Sequence, residues 1–172
     1  MSITEKIIVT DTNIITDLNN ANILDKFVIL DNVYISDLVK NDEVNSKTGD
    51  LKIIDKFKTL RLTDEQLIEV STLSSEENKL SVYDLINYIL ARDNDGILAT
   101  GDNRLKNYSE KNGVKVIRTL KIIKLLKDNN IISCKEAIKA CILLKECQST
   151  RIPEEDINNL ITEFKTGLVI VK

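Results

Sequence analysis

The segment 7–14 reads IIVTDTNI, and it predicts how the chain begins to fold. Its first three residues form a short apolar, β-branched run that is typical of a buried strand. The next polar residues, Asp11-Thr12-Asn13, suit a turn and the start of a helix. Apolar residues at helical spacing follow in 14–18 and again in 23–27. The chain therefore opens with a buried strand that passes directly into helices.

The same alternation of short apolar runs and helical patterns continues along the chain. Further strands are predicted at 33–35, 57–62, 97–100 and 114–117, and helices at 36–41 with Ser36 as N-cap, 63–73, 81–90, 102–112, 119–128, 134–147 and 154–165. Such alternation favours an α/β fold with a central parallel sheet flanked by helices. The end of the chain is almost wholly helical. We therefore expect an α/β domain over residues 1–130 and a helical annex over 131–172, packed on the same domain.

The composition excludes several classes of chemistry. The chain has 172 residues, no histidine and no tryptophan, and three cysteines. Without histidine there is no Ser-His-Asp or Cys-His nucleophile, no histidine general base and no histidine-ligated zinc. Three cysteines are too few for a four-cysteine zinc site. The net charge of −3 argues against strong non-specific DNA binding, which needs a basic patch.

The sequence also bears on location. No apolar run approaches the roughly 18 residues that a membrane-spanning helix needs. The N-terminus has no apolar core of the kind found in a secretory signal peptide. We expect a cytoplasmic protein that does not associate with a membrane.

Four aspartates lie where an α/β protein places its chemistry, beyond the carboxyl ends of strands. Asp11 ends the first strand, and Asp42 lies in the helix after the second. Asp84 lies in the first turn of its helix, and Asp102 follows the strand at 97–100. Clustered carboxylates repel one another unless a cation neutralises them. Carboxylates without histidine or thiolate suit a hard ion such as Mg²⁺ or Mn²⁺, which can activate water against a phosphodiester.

Each aspartate also has a purely structural interpretation. Asp11 and Asp102 are good helix N-caps, and Asp42 suits a charged surface. Asp84 pairs with Ser81 in a pattern like a capping box. Convergence of the four in one pocket depends on the strand order, so both interpretations stay open at this point.

Four segments together resemble the motifs of PIN-domain nucleases. The segments are 8–14 (IVTDTNI), 33–36 (VYIS) followed by Asp42, 80–84 (LSVYD) and 97–105 (ILATGDNRL). Segment 113–120 (GVKVIRTL) is similar to the one that closes these domains. The tail with RIPEE at 151–155 resembles the end of a prokaryotic subgroup akin to the toxins of VapC-type toxin–antitoxin pairs. The resemblance runs from residue 7 to about 165.

The resemblance implies a PIN-like three-layer fold with a C-terminal helical extension. It also implies a ribonuclease, a hydrolase that uses Mg²⁺ or Mn²⁺ to cleave single-stranded RNA. An antitoxin protein and a second copy of the chain in a homodimer would be its partners. By the resemblance, the catalytic acids are Asp11, Asp42, Asp84 and Asp102, of which Asp11, Asp84 and Asp102 would bind the metal. Supporting roles fall to Asn13, Ser81 and Thr100. The RNA phosphates would be bound by Arg104 and Lys106.

The chain departs from the family pattern in two places. The second acid is Asp42 where the family more often has Glu, and Glu43 stands next to it, so either residue could be the ligand. Asn103 and Arg104 follow Asp102 where some members carry a fifth acid.

Two other classes of protein remain to be weighed. One is a non-catalytic PIN-like module that binds RNA or protein. A haloacid-dehalogenase-like phosphatase fits less well, because it needs Asp-x-Asp after the first strand and this chain has Asp11-Thr12-Asn13. A P-loop is excluded, since the sequence has no Gly-x-x-x-x-Gly-Lys.

Overall fold

The computed structural model describes residues 5–44 and 52–169. Within these ranges five parallel strands form one sheet. The strands are β1 Ile8–Thr10, β2 Val33–Ser36, β3 Lys58–Leu60, β4 Ile97–Ala99 and β5 Lys115–Ile117. Their order across the sheet is β3-β2-β1-β4-β5. The first strand of the chain is therefore the middle strand, and it is buried, as its continuous apolar run predicts.

Eight α-helices flank the sheet in the described part of the chain. They are α1 Thr12–Asn20, α2 Leu24–Val28, α3 Asp64–Glu76, α4 Val82–Asp93, α5 Asn103–Lys111, α6 Thr119–Asp128, α7 Cys134–Glu146 and α8 Glu154–Val169. Two shorter segments complete the list, a π-helix at Val39–Val44 and a 3₁₀-helix at Lys52–Lys56. None of the helices in the described ranges has the length and hydrophobicity that a bilayer span requires.

Helices cover both faces of the sheet. On one face, Ile8 and Ile117 line a small apolar cavity together with Phe27 of α2 and Ile122 of α6. On the other face, α4 packs on β1, β2 and β4 and contacts α3 and α5. The result is the three-layer α/β architecture that the sequence predicts.

Capping residues begin the helices at the predicted places. The side chain of Thr63 accepts from the backbone of Gln66, and the Gln66 side chain accepts from the backbone of Thr63, which makes a capping box. Ser81 and Asp84 form the same motif at α4. Local sequence therefore determines where these helices start.

The helices at the end of the chain pack on the rest of the fold. Helix α7 contacts α8, and it also contacts α6 and α1. The thiol of Cys134 lies 3.3 Å from the carbonyl oxygen of Phe164, which joins α7 to α8. The predicted helical C-terminal segment is confirmed. The division into a domain at 1–130 and an annex at 131–172 stays a prediction.

Two stretches differ from the sequence prediction. The predicted strand 57–62 is shortened to β3, because this edge strand pairs only with β2 over three residues. The helix predicted to end near Asn41 continues as the π-helix Val39–Val44, a form that appears mostly in single wide turns. The stretch 45–50, NSKTGD, has the polar composition of a turn, and it lies outside the described residues.

Candidate active site

The carboxylate of Asp11 is held in place by two side chains at the carboxyl end of the middle strand. Asp11 is 3% exposed, and its backbone N–H donates to the Ala99 carbonyl at 2.9 Å. Its Oδ2 accepts hydrogen bonds from the Thr100 hydroxyl at 2.8 Å and from the Asn13 amide at 3.2 Å. Asp11 precedes α1, but its side chain makes no capping bond to that helix. Asp11 therefore occupies the N-cap position that the purely structural interpretation predicts, while its carboxylate is bonded to Thr100 and Asn13.

Thr100 links Asp11 to Asp102. The Thr100 hydroxyl is fully buried and accepts a hydrogen bond from the Asp102 backbone N–H at 3.1 Å. Asp102 caps α5, since its Oδ1 accepts from the backbone N–H groups of Arg104 at 2.7 Å and Leu105 at 2.9 Å. Gly101 lies over the start of α1, where an added Cβ would stand 3.7 Å from the Cβ of Asn13. These contacts bring the predicted first and fourth motifs together.

Asp84 begins α4. Its Oδ2 accepts from the Ser81 backbone N–H at 2.8 Å, and the Ser81 hydroxyl accepts from the Asp84 N–H at 3.1 Å. Helix α4 leads into parallel strand β4 and packs across β1 and β2, so it runs back along the sheet and starts towards its carboxyl edge. The capping box that the sequence predicts is confirmed, and one oxygen of Asp84 is engaged in it.

The structure does not arrange the acids as a ready set of ligands. Among the described side chains, those of residues 5–41 and 52–167, no three acidic or cysteine groups form a cluster that could hold a metal ion. The side chains of Asp42 and Glu43 lie outside the description, although their backbone is part of Val39–Val44. That segment contacts β2 and α1, the elements beside Asp11. The choice between Asp42 and Glu43 stays open.

A partly buried cation lies at the same edge of the sheet. Arg118 directly follows β5, and its guanidinium donates to the Gly101 carbonyl at 2.9 Å. Asp17 of α1 accepts a hydrogen bond from the Thr119 hydroxyl at 2.6 Å. Burial raises the pKa of Asp17 above its ordinary value, and the Thr119 bond and the charge of Arg118 offset part of that rise. Arg118 is thus held beside the loop that carries Asp102.

The two predicted RNA contacts have different surroundings. Arg104 is exposed in the first turn of α5. Lys106 donates to Glu110 at 2.7 Å, as an i,i+4 pair on the surface of the same helix. Their contact with RNA stays a prediction.

Sequence reasoning missed a polar residue at the end of β2. Asp37 directly follows the strand, and its carboxylate accepts from the Leu38 N–H at 2.8 Å and pairs with Arg61 at 3.0 Å. Ser36 is fully buried, and its hydroxyl has no hydrogen-bond partner. Ser36 was predicted as a helix N-cap, and that prediction is wrong because its hydroxyl accepts no capping bond. The rule that an acid directly after a strand lies at the functional edge could have found Asp37.

The comparison with known families agrees with this arrangement. Residues 7–166 match the family model of the PIN domain DUF3368. No curated protein and no solved structure gives a significant match. Because the matched region covers most of the chain, the protein belongs to the PIN domain family. PIN domains are in general nucleases and in general use divalent metal ions.

Proposed function

We propose that this protein is an endoribonuclease that depends on Mg²⁺ or Mn²⁺ and cleaves phosphodiester bonds of single-stranded RNA. The observation that carries the proposal is the link from Asp11 through the Thr100 hydroxyl to Asp102. It brings two acids from distant parts of the chain to one edge of the sheet. Membership of the PIN domain family supports the nuclease class.

The donor groups at this edge fit a hard divalent cation. They are carboxylate, hydroxyl and amide oxygens, which Mg²⁺ and Mn²⁺ prefer. Asp11 is almost fully buried, and a buried carboxylate is stabilised by a cation close to it. Asp102 uses Oδ1 for both of its capping bonds. Within the described part of the chain its Oδ2 makes no capping bond, so this oxygen can bind a ligand.

The residues of the candidate site have separate roles in the proposed reaction. Asp11, Asp84 and Asp102 would hold the cation, with Asp42 or Glu43 as a fourth acid. Thr100 and Asn13 orient Asp11 through the hydrogen bonds already described. When bound, the cation would activate water and offset charge on the phosphate oxygens. Arg104 and Lys106 would bind phosphates of the RNA, and Arg118 supplies a further positive charge near Asp102.

Cleavage of a labelled single-stranded RNA tests the proposal. The reaction is run with Mn²⁺, with Mg²⁺ and with EDTA, for the natural chain and for Asp11→Asn and Asp102→Asn. Removing one ligand charge should slow cleavage by roughly 100-fold or more, because it costs several kcal/mol of transition-state stabilisation. Asp95→Asn is the matched control, since Asp95 is 89% exposed and pairs with Lys6 before β1.

The outcomes separate clearly. Cleavage that needs metal, is lost in both variants and persists in Asp95→Asn supports the proposal. Cleavage that survives EDTA, or that survives both substitutions, contradicts it.

A non-catalytic module that binds RNA or protein is the second candidate. The capping bonds that engage Asp84 and Asp102 favour it, because they give both carboxylates a purely structural use. Calorimetric titration with Mn²⁺ distinguishes the two functions. An absence of binding, together with an absence of cleavage, would favour the module.

The partners of the protein follow from the resemblance rather than from the geometry. We propose that it is a toxin restrained by an antitoxin protein, acts in the cytoplasm and forms a homodimer. Growth arrest on expression, relieved by co-expression of a neighbouring small protein, would test the first point. Light scattering of the purified chain would test the last.

A further inference from the structure

Three polar side chains in the described part of the chain are fully buried and have no hydrogen-bond partner. They are Ser36 at the end of β2, Asn87 in α4 and Ser109 in α5. A buried hydroxyl without a partner costs free energy, because it has given up its bonds to water. Such groups are rare in native proteins, and each one calls for an explanation.

The register of β1 and β2 relates Ser36 to Asp11. Strand β2 is parallel to β1, with Ile8 opposite Val33 and Val9 opposite Tyr34. Continued for two residues beyond these pairs, the same register brings Asp11 opposite Ser36. Neighbouring strands are about 4.8 Å apart. On this register the backbones of Ser36 and Asp11 are about one strand spacing apart.

Ser36 and Asp11 also face the same side of the sheet. Side chains alternate along a strand, so Asp11 shares a face with Val9, and Ser36 with Tyr34. The bond from Thr100 to Asp11 confirms that Thr100 faces this side as well. Ile8 and Ile117 face the other side, where they line the apolar cavity with α2 and α6. Ser36 thus belongs to the face on which Asp11 and Thr100 lie.

We propose that Ser36 is a positioning residue of the cation site, whose hydroxyl hydrogen-bonds a water molecule in the hydration shell of the divalent cation held by Asp11. The inference rests on the proposed function and extends it to a residue outside the acidic set. Mg²⁺ keeps several of its waters when it binds a protein. Hydrogen bonds from protein groups to such ligands orient them and strengthen binding. A serine hydroxyl can both donate to and accept from a water.

Ser109 offers a matched control. It is as buried as Ser36, and its hydroxyl is also unpartnered. Its backbone carbonyl accepts from the Val114 N–H at 2.9 Å, just before β5 begins. Ser109 therefore lies at the amino edge of the sheet, opposite the acids. Ser109→Ala therefore removes the same hydroxyl group at the edge of the sheet opposite the acids.

The experiment compares Ser36→Ala with Ser109→Ala in the full chain. Mn²⁺ affinity is measured by calorimetry on protein freed of metal, and stability by urea unfolding without metal. We expect neither variant to lose stability, because each removes an unpartnered buried hydroxyl. We expect Ser36→Ala to bind Mn²⁺ about 10-fold or more weakly, and Ser109→Ala to bind it as the natural chain does. Ser36→Cys keeps the side-chain volume with a poor hydrogen-bonding group, and it serves if the alanine variant does not fold.

Each result has a definite meaning. Unchanged Mn²⁺ affinity in Ser36→Ala or Ser36→Cys, with weakened affinity in Asp11→Asn, overturns the role of Ser36 and leaves the proposed function standing. Equal weakening in Ser36→Ala and Ser109→Ala also overturns it, because the effect would then be unspecific. Failure of the natural chain both to bind Mn²⁺ and to cleave RNA overturns the proposed function, and this inference with it.

Discussion

The Thr100 hydroxyl donates a hydrogen bond of 2.8 Å to Oδ2 of Asp11, across 89 positions of the sequence. The bond forms because β1 and β4 are neighbours in register, with Thr10 opposite Ala99. The residues that follow these two strands must then stand side by side. One hydroxyl thereby bonds both Asp11 and the backbone of Asp102.

Thr100→Val should disturb both acids without changing the shape of the side chain. Valine cannot donate to Asp11 or accept from Asp102. We expect Mn²⁺ affinity to fall about 10- to 100-fold, and the free energy of unfolding to fall by about 1–3 kcal/mol. Thr100→Ser keeps the hydroxyl and should retain the Mn²⁺ affinity. Calorimetry and urea unfolding check both values, and equal behaviour of the two variants would show that the hydroxyl has no such role.

Asn87→Leu should stabilise the protein. Both amide atoms of Asn87 are buried without partners, and leucine has a similar size. We expect the free energy of unfolding to rise by about 1–3 kcal/mol. Asn94→Ala is the comparison, because the Asn94 amide donates to the Leu90 carbonyl at 2.8 Å and its loss should lower stability. Urea unfolding measures both. A loss of stability in Asn87→Leu would show that the amide is satisfied by ordered water.

Arg92 makes the stability of the α3–α4 pair dependent on pH. It donates two bonds to Glu69, at 2.6 Å and 2.7 Å, and one to Asp93 at 2.6 Å. These bonds lower the pKa of Glu69 below its ordinary 4.5 and that of Asp93 below 3.8. Since both folded-state pKa values are depressed, the stabilisation is complete above the ordinary values. It is lost as pH falls through the lowered ones.

Arg92→Met should therefore lower the free energy of unfolding at pH 7, and it should lower it less at acid pH. We expect a loss of about 1 kcal/mol at neutral pH, because the groups are about one-third exposed and solvent screens them. Urea unfolding at pH 7 and well below the ordinary carboxyl pKa values checks the difference. Lys58→Met is the control, since its partner Asp31 is fully exposed and its loss should change little. An equal loss at both pH values in Arg92→Met would contradict the account.

Gly96→Ala should destabilise the fold through a backbone clash. An added Cβ would stand 2.8 Å from the Ile7 carbonyl oxygen and 3.3 Å from that of Ala91. Overpacking of this kind costs about 1–3 kcal/mol. Gly167→Ala in α8 meets nothing within 4 Å, and it should stabilise the helix by up to about 1 kcal/mol. Thermal unfolding of the two variants should therefore shift in opposite directions.

Local sequence predicted most of the elements because their signals are short-range. Apolar runs marked the buried strands, and the Thr63 and Ser81 capping boxes began helices where expected. The prediction of Ser36 as a side-chain cap was wrong, because the Leu38 N–H donates to the Asp37 carboxylate instead. The π-helix at Val39–Val44 was also not predicted, because its pattern of apolar residues resembles that of an ordinary helical turn.

The candidate site was predictable only in part. Motif order identified Asp11, Asp84 and Asp102, and the structure bonds Thr100 and Asn13 to Asp11. The assignment of an RNA-binding role to Lys106 did not consider Glu110, which lies one turn away and accepts a hydrogen bond from it. The roles of these residues in catalysis stay predictions.

The sequence by itself determined that this is an α/β chain without histidine chemistry, and it showed which polar residues follow its strands. These properties depend on residue type and on spacing within about ten positions, which local pattern records. Only the tertiary structure decided that β1 lies between β2 and β4, so that Asp11 is bonded to Thr100 while the Ser36 hydroxyl at the end of β2 has no partner. The reason is physical: whether a buried polar group finds a hydrogen-bond partner depends on neighbours from distant parts of the chain.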